Sequence, residues 1–153
     1  MKIVEITNRI YISDQQWKKE IKNNVYPDDR SRAAVAEISP DDFLFLADDS
    51  NGQASDRALQ YGQFDNEKFT SDWLPTLDIT IDGKVYDHEG RARATMIKKS
   101  NISKMPIILR LPANNRVKSK DEFPNIITQQ SGSKAKRINI KELLSYNSTN
   151  PFK

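Results

Sequence analysis

The feature of this sequence that most constrains its fold is residues 77–111, where strand, turn, helix and strand patterns follow one another closely. The predicted segments are a strand over 77–81, the hairpin turn Asp82-Gly83, a returning strand over 84–86, a helix over 91–99 and a buried strand over 106–111. A hairpin in front of a strand, helix, strand unit is typical of an α+β protein. The sequence therefore predicts a small mixed sheet with short helices.

Two further helices are predicted in the first third of the chain. Ser39 can cap a helix in which Pro40 takes the first position and the two following aspartates complement the helix dipole. Ser13 or Asp14 can cap another helix over residues 15–22, in which apolar residues lie four apart. The residues predicted to face inward are Trp17, Ile21, Phe43, Leu44, Leu46 and Ala47.

The two ends of the chain carry weaker patterns. Residues 2–7 and 9–12 alternate as short strands do, and residues 126–128 and 137–140 are candidate strands near the other end. Residues 141–146 are predicted to form a last helical turn or two.

The length and composition fit one domain, because the chain has 153 residues and 37% hydrophobic content. We predict a single domain over residues 1–146, with its core over about 35–111, and a tail over 147–153. A polar insertion over residues 48–71, rich in Asp, Ser, Asn, Gly and Gln, interrupts the core. Insertions of this length are usually lids, binding loops or mobile segments.

Residue usage excludes several classes of site. The net charge of +3, from 24 basic and 21 acidic residues, is too small to indicate a polyanionic partner by itself. The chain has no cysteine, which excludes disulfides and thiolate metal sites, and its single histidine disfavours zinc. No apolar signal core opens the chain, and no apolar run approaches the roughly 20 residues that cross a bilayer. We therefore expect a cytoplasmic protein without a membrane partner.

Basic residues concentrate in the C-terminal half of the chain. One group includes Lys98, Lys99 and Lys104. A second group consists of Arg110, Arg116, Lys118, Lys120, Lys134, Lys136 and Arg137. Such groups can form a track for a nucleic-acid backbone. The alternative is ordinary solvated surface, because aromatic residues are not interleaved among them apart from Phe123.

Most side chains able to do chemistry lie in one short box, residues 87–93, between the hairpin and the helix. Gly90 lets the backbone approach a ligand closely, and the N–H groups at the start of the helix then face an anion. Arg91 and Arg93 can each grip phosphate oxygens with a planar guanidinium group. Because they lie on different sides of the first helical turn, at most one is expected to share the ligand face. The alternative is that both arginines are solvated or bridge to neighbouring acids.

Three polar residues precede the glycine of the box. Glu89 can act as a general base, bind a metal ion through water or accept a hydrogen bond from a ribose hydroxyl, although an acid at a helix start is also an ordinary cap. His88 can shuttle protons or bind a phosphate, or it can be structural. Asp87 can hold Mg²⁺ together with the phosphates of a nucleotide, or it can be a simple turn acid. Glu89 and His88 are the catalytic candidates.

The box and its flanks resemble the ParB and sulfiredoxin superfamily, whose members carry a glycine, acid and arginine box between a strand and a helix, followed by a proline-led strand. Here residues 87–94 match the box, and Met105 and Pro106 begin the strand. The version in this chain is similar to the ParB-like domains of phage and plasmid polyvalent proteins, where a His-Glu-Gly-Arg-x-Arg box follows a hairpin. The helix after Ser39 also looks like the helix that precedes the box in such proteins. The resemblance covers roughly residues 35–111.

Members of that superfamily bind nucleotides or DNA; some hydrolyse CTP, some transfer phosphate from ATP, some are nucleases and some only bind. The resemblance implies a phosphate-binding protein of a phage or mobile element that acts on a nucleotide or nucleic acid. If it is an enzyme, phosphoryl transfer or phosphodiester cleavage is implied, with a nucleoside triphosphate and Mg²⁺ as cofactor. The alternative is a non-catalytic protein that blocks or recruits a host nucleic-acid or defence system in the host cytoplasm.

Overall fold

The computed structural model describes residues 9–10, 12–48, 74–145 and 149–152. In these ranges the α-helices are α1 (Asp14–Asn24), α2 (Pro40–Leu46) and α3 (Arg91–Lys99). The strands are β1 (Ala33–Ile38), β2 (Thr76–Ile79), β3 (Val85–Glu89), β4 (Met105–Arg110), β5 (Ile126–Thr128), β6 (Ala135–Arg137) and β7 (Ile140–Leu143). Short 3-10 helices span Pro27–Arg32 and Lys120–Glu122. The predicted strand over 2–7 and almost all of the predicted insertion lie outside the described residues.

A mixed five-stranded sheet of order β3-β2-β4-β1-β7 is the centre of the fold. β2 runs parallel to β4, and every other neighbouring pair in the sheet is antiparallel. β5 and β6 form a separate two-stranded antiparallel sheet. The predicted α+β class with a mixed sheet and short helices is confirmed. Among the described helices, none combines the length and the apolar character needed to cross a membrane.

β1 and β4 lie inside the sheet and are buried along most of their length. Residues 105–109 of β4 form a continuous apolar run, the pattern expected of a strand covered on both faces. Residues 33–36 of β1 are fully buried too, but three of these four residues are alanines. Alanine lacks the branched or aromatic side chains that mark strands, so the sequence pattern does not predict β1.

α1 and α2 begin at serine caps, as predicted. The Ser13 hydroxyl accepts the N–H of Gln16, and the Gln16 side chain accepts the N–H of Ser13 in return, which forms a capping box. The Ser39 hydroxyl accepts the N–H of Asp42 at 3.0 Å. The residues whose predicted burial is confirmed are Trp17, Ile21, Phe43, Leu46 and Ala47, whereas Leu44 is only partly buried.

The last described residues pack on the beginning of the domain. The Asn150 side chain donates to the carbonyl of Ile12 at 2.8 Å. The Phe152 ring meets the Trp17 ring edge-on, with 6.0 Å between ring centroids. Part of the segment predicted as a tail therefore covers α1.

Two predicted segments differ from the structure because of long-range strand pairing. β3 does not end at residue 86 but continues to Glu89, since residues 87–89 pair with β2. Residues 141–146, predicted as helical turns, instead contain most of β7, which pairs with β1 along the sheet edge. In both places pairing with a neighbouring strand outweighs the local preference of the residues.

Candidate functional site

The box joins the end of β3 to the start of α3 through Gly90. Gly90 has a φ of 105°, in the left-handed region that residues with a side chain rarely adopt. A β-carbon on Gly90 would lie 2.9 Å from both Cα and Cβ of Pro75. The turn and its close packing on Pro75 therefore require glycine, independently of any ligand.

The first turn of α3 differs from the first turns of α1 and α2. A serine side chain caps each of those two helices, and each has an acidic residue in its first turn. In the described part of the chain, no side chain caps α3, and its first turn contains no acid. The N-terminal end of a helix carries partial positive charge and favours an anion. No acidic side chain of its own first turn offsets that charge in α3.

Arg91 reaches from α3 to the end of α2. Its Nη1 donates to the carbonyl of Leu44 at 2.7 Å and also to the carbonyl of Ala47. Carbonyls at the C-terminal end of a helix lack partners within the helix, and a positive charge is favourable there. Arg91 therefore stabilises the end of α2, a role that the sequence does not predict. Of the two arginines in the box, Arg91 therefore bonds the end of α2. Arg93 is half-buried in the first turn of α3.

Replacing Arg91 by alanine should destabilise the protein, because two carbonyls of α2 lose a charged donor. Hydrogen bonds to charged groups contribute about 1.5–3 kcal/mol, so we expect the free energy of unfolding in urea to fall by about 2 kcal/mol. Lys99→Ala, at the exposed far end of the same helix, is the control and should change it by less than about 0.5 kcal/mol. Equal stability of the two variants would contradict the role of Arg91 at the end of α2.

The three polar residues before Gly90 belong to β3, an edge strand of the sheet. Asp87 and Glu89 are exposed, whereas His88 is half-buried. The Asp87 carboxylate accepts the N–H of His88 at 2.9 Å. Because side chains alternate along a strand, Glu89 and Asp87 lie on one side of β3 and His88 on the other. The two catalytic candidates, Glu89 and His88, therefore extend from opposite sides of the strand.

The metal-binding potential of the box comes from Asp87. Within the residues that the structure describes, no group of three or more Asp, Glu or His side chains is close enough together to hold a metal ion. Mg²⁺ that accompanies a nucleotide commonly takes one or two carboxylates and completes its shell with phosphate oxygens and water. The exposed Asp87 fits such a role only when a nucleotide supplies the remaining ligands.

Several residues of the two basic groups in the predicted track pair with acids of the protein itself. These pairs are Lys98 with Asp41 at 2.7 Å, Arg110 with Asp78 at 2.7 Å and Lys136 with Asp42 at 3.5 Å. Arg116 donates to the carbonyl of Asp28 and to the hydroxyl of Ser31. The predicted basic track is therefore divided, because part of its charge is neutralised within the fold.

A polar cluster on the sheet, formed by Asp78, Tyr86 and Arg110, is not predicted by the sequence. Arg110 Nε and Nη2 donate to the two carboxylate oxygens of Asp78 at 2.7 Å and 3.0 Å. This bidentate bond raises the pKa of Arg110. Burial and the Asp78 carboxylate together raise the pKa of Tyr86. The signal available in the sequence is an aspartate inside an apolar strand, since a buried carboxylate requires a partner.

Tyr86 should titrate later than an ordinary tyrosine. We expect the absorbance difference at 295 nm between the wild type and Tyr86→Phe to rise with a midpoint above about pH 10, the usual tyrosine value. Because the pKa is raised in the folded state, the stability that Tyr86 contributes is present below pH ~10 and is lost as pH rises through the folded pKa. A midpoint at or below pH ~10, measured while near-UV circular dichroism stays native, would contradict the proximity of Asp78.

Comparison of the chain with known proteins finds no matching family model, no matching curated protein and no matching solved structure. The resemblance to the ParB and sulfiredoxin superfamily therefore rests on the residues of the box and its flanks.

Proposed function

We propose that this protein binds a phosphate group of a nucleotide or nucleic acid at the start of α3, between Gly90 and Arg93. The observation that carries the proposal is the first turn of α3, which begins at a left-handed glycine and has neither a side-chain cap nor an acid among the described residues. A helix start of this kind favours an anion. Arg93 supplies a guanidinium group in the same turn, and such a group can hold two phosphate oxygens.

The reaction class that fits such a ligand is phosphoryl transfer or phosphodiester cleavage, and this part of the proposal rests on the resemblance. Glu89 lies next to Gly90 at the end of β3 and is exposed, so it can accept a proton from a water or hydroxyl near the phosphate. His88 is the other acid-base candidate, and Asp87 would hold Mg²⁺ that arrives with a nucleoside triphosphate. A phage or mobile-element origin belongs to the same proposal.

A non-catalytic binding protein is the second candidate, and the position of Arg91 favours it. Enzymes that transfer phosphate groups stabilise the transition state with several cationic groups or metal ions. Arg91, one of two arginines in the box, uses Nη1 to hold the carbonyls of Leu44 and Ala47. Arg93, in the first turn of α3, is the guanidinium group that this proposal assigns to the ligand. One arginine and a helix start are sufficient for binding, and such a protein could block or recruit a host nucleic-acid system.

The binding proposal is tested by thermal unfolding of the full chain with ATP, CTP, GTP or ADP in the presence of Mg²⁺, and with a short DNA duplex. At least one ligand should raise Tm, because a ligand that binds only the folded protein stabilises it. Arg93→Ala should lower the affinity for that ligand by about tenfold or more, the effect of losing one charge-assisted hydrogen bond.

Lys18→Ala is the matched control for Arg93→Ala, because it removes the same charge from the exposed side of α1, outside the two predicted basic groups. It should leave the affinity within about threefold of the wild type. The proposal fails if no ligand raises Tm, or if the two variants lose the same affinity. Arg91→Ala is not used in this test, since its effect on folding would obscure its effect on binding.

Glu89→Gln distinguishes the enzyme from the binding protein. Glu89 is exposed, so the change should leave the fold and the ligand affinity intact. If Glu89 is the general base, turnover of the ligand identified above should fall by about 100-fold or more. Turnover that is equal in wild type and variant would contradict a catalytic role for Glu89, and an absence of turnover in both would favour the binding protein.

A further inference from the structure

The C-terminal part of the chain, which has no counterpart in the resemblance, forms two adjoining hollows. The larger, of about 740 Å³, lies between residues 120–125 and residues 137–140. The smaller, of about 330 Å³, lies between residues 118–120 and β7, so that Lys120 borders both. Hollows of this size accommodate small organic groups such as nucleotides.

Basic residues outnumber acidic ones by four to three in the lining of these hollows. Four of the lining residues are basic, namely Lys118, Lys120, Arg137 and Lys141. The acidic lining residues are Asp121, Glu122 and Glu142. The Glu122 carboxylate, however, accepts the N–H groups of Lys118 and Ser119 at 2.8 Å and 3.0 Å. These backbone N–H groups partly offset the negative charge of Glu122, so the hollows keep an excess of positive charge.

The basic residues around the hollows differ in their ion pairs from other members of the same sequence group. Within the described ranges, Lys118, Lys120 and Arg137 form no ion pair with an acid of the protein, whereas Arg110 and Lys136 of the same sequence group do. Lys141 lies 4.0 Å from Glu37, at the outer limit of an ion pair. The fold therefore neutralises some members of the group and leaves others around the hollows, where an anionic ligand can meet them.

We infer that the two hollows bind the sugar-phosphate backbone of a single-stranded nucleic acid. Lysine and arginine side chains spread over two adjoining hollows match a ligand with successive phosphates. Asn125 and Asn139 also line the larger hollow, and asparagine amides can bond exposed base edges. A duplex would meet only the rims of hollows this small. The site does not include the start of α3, and the inference does not depend on the function proposed there.

Fluorescence anisotropy of the full chain with a labelled 12-nucleotide single strand of mixed sequence tests this inference. Binding should weaken steeply with salt, because each phosphate contact on a single strand contributes about −0.7 to the slope of log affinity against log salt. Lys120→Gln/Arg137→Gln should weaken binding by about tenfold or more and reduce the slope by about 1.4, the share of two contacts.

The matched control is Lys18→Gln/Lys19→Gln, which removes the same net charge from the exposed side of α1. It should keep the wild-type slope and lie within about threefold in affinity. Equal losses in the two double variants would show that binding follows net charge alone and would overturn the inference. No binding of the single strand, or tighter binding of a phosphorylated peptide or of a duplex of equal length, would also overturn it.

A second measurement separates this inference from the function proposed for the box. Lys120→Gln/Arg137→Gln should keep the Tm increase that a nucleotide produces in the wild type, because both residues belong to the C-terminal hollows rather than to α3. Loss of oligonucleotide binding with an unchanged nucleotide response supports two sites. Simultaneous loss of both responses would overturn the assignment of the oligonucleotide to the hollows.

Discussion

Gly90→Ala is expected to lower the free energy of unfolding by about 2–5 kcal/mol. A side chain in the left-handed region costs about 1–2 kcal/mol, and Gly90 has a φ of 105°. The added methyl group would also lie 2.9 Å from Cα and Cβ of Pro75, so backbone atoms must shift, and overpacking of this kind costs about 1–3 kcal/mol. Urea unfolding followed by circular dichroism measures the loss.

Gly132→Ala is the control for this substitution. Its new β-carbon would meet Oε1 of the Gln129 side chain rather than backbone, and the Nε2 of that side chain donates to the carbonyl of Phe45. The change should therefore cost no more than about 1 kcal/mol, the contribution of one hydrogen bond. If Gly90→Ala were as stable as the wild type and lost only ligand affinity, the glycine would serve the ligand rather than the fold. Loss of stability in the absence of any ligand is the result that the packing on Pro75 predicts.

The parts of the fold that the sequence predicts well are those with a local cause. Ser39 caps α2 through the N–H of Asp42, three residues away. The turn at residues 82–83 and the helix Arg91–Lys99 likewise depend on neighbouring residues. A local hydrogen bond or a glycine conformation depends on residue types that can be read along the chain.

The parts that the sequence does not predict depend on distant pairing. Residues 33–36 of β1 are buried between β4 and β7. They form a strand because of this position in the sheet, and not because their residue types favour strands. The extension of β3 to Glu89 similarly requires β2 beside it. β-propensity reflects packing against neighbours, which a single sequence does not reveal.

The candidate site also combines local features, which the sequence predicts, with contacts between distant residues, which it does not predict. The glycine and the basic character of the box are visible in the sequence, and their use as an anion site is a prediction. The bond of Arg91 to α2 and the contact of Gly90 with Pro75 are not visible, because they join residues far apart in the chain. For the same reason Arg110 reads as a surface charge in the sequence, although it faces Asp78 across the β2–β4 pair.

Arg110→Met is expected to lower the free energy of unfolding by about 3 kcal/mol. Methionine keeps much of the apolar stem but removes the guanidinium group that bonds both oxygens of Asp78. Asp78 is only 8% exposed, so its carboxylate would stay in the protein without a matching cation. Breaking a buried pair typically costs about 3–5 kcal/mol, and the lower end applies because Arg110 is one-third exposed.

The double variant Asp78→Asn/Arg110→Met separates the ion pair from the packing of the arginine stem. Once a neutral amide replaces the carboxylate, burial of residue 78 no longer requires a cation. The double variant should therefore be more stable than Arg110→Met by at least about 1 kcal/mol. Additive losses in urea unfolding would mean that Arg110 acts through its stem alone. A double variant that regains stability would instead show that the charge of Arg110 stabilises Asp78. That role explains why a basic residue of the predicted nucleic-acid track lies beside the sheet. The anion-binding charge of the C-terminal half then has to come from other lysines and arginines.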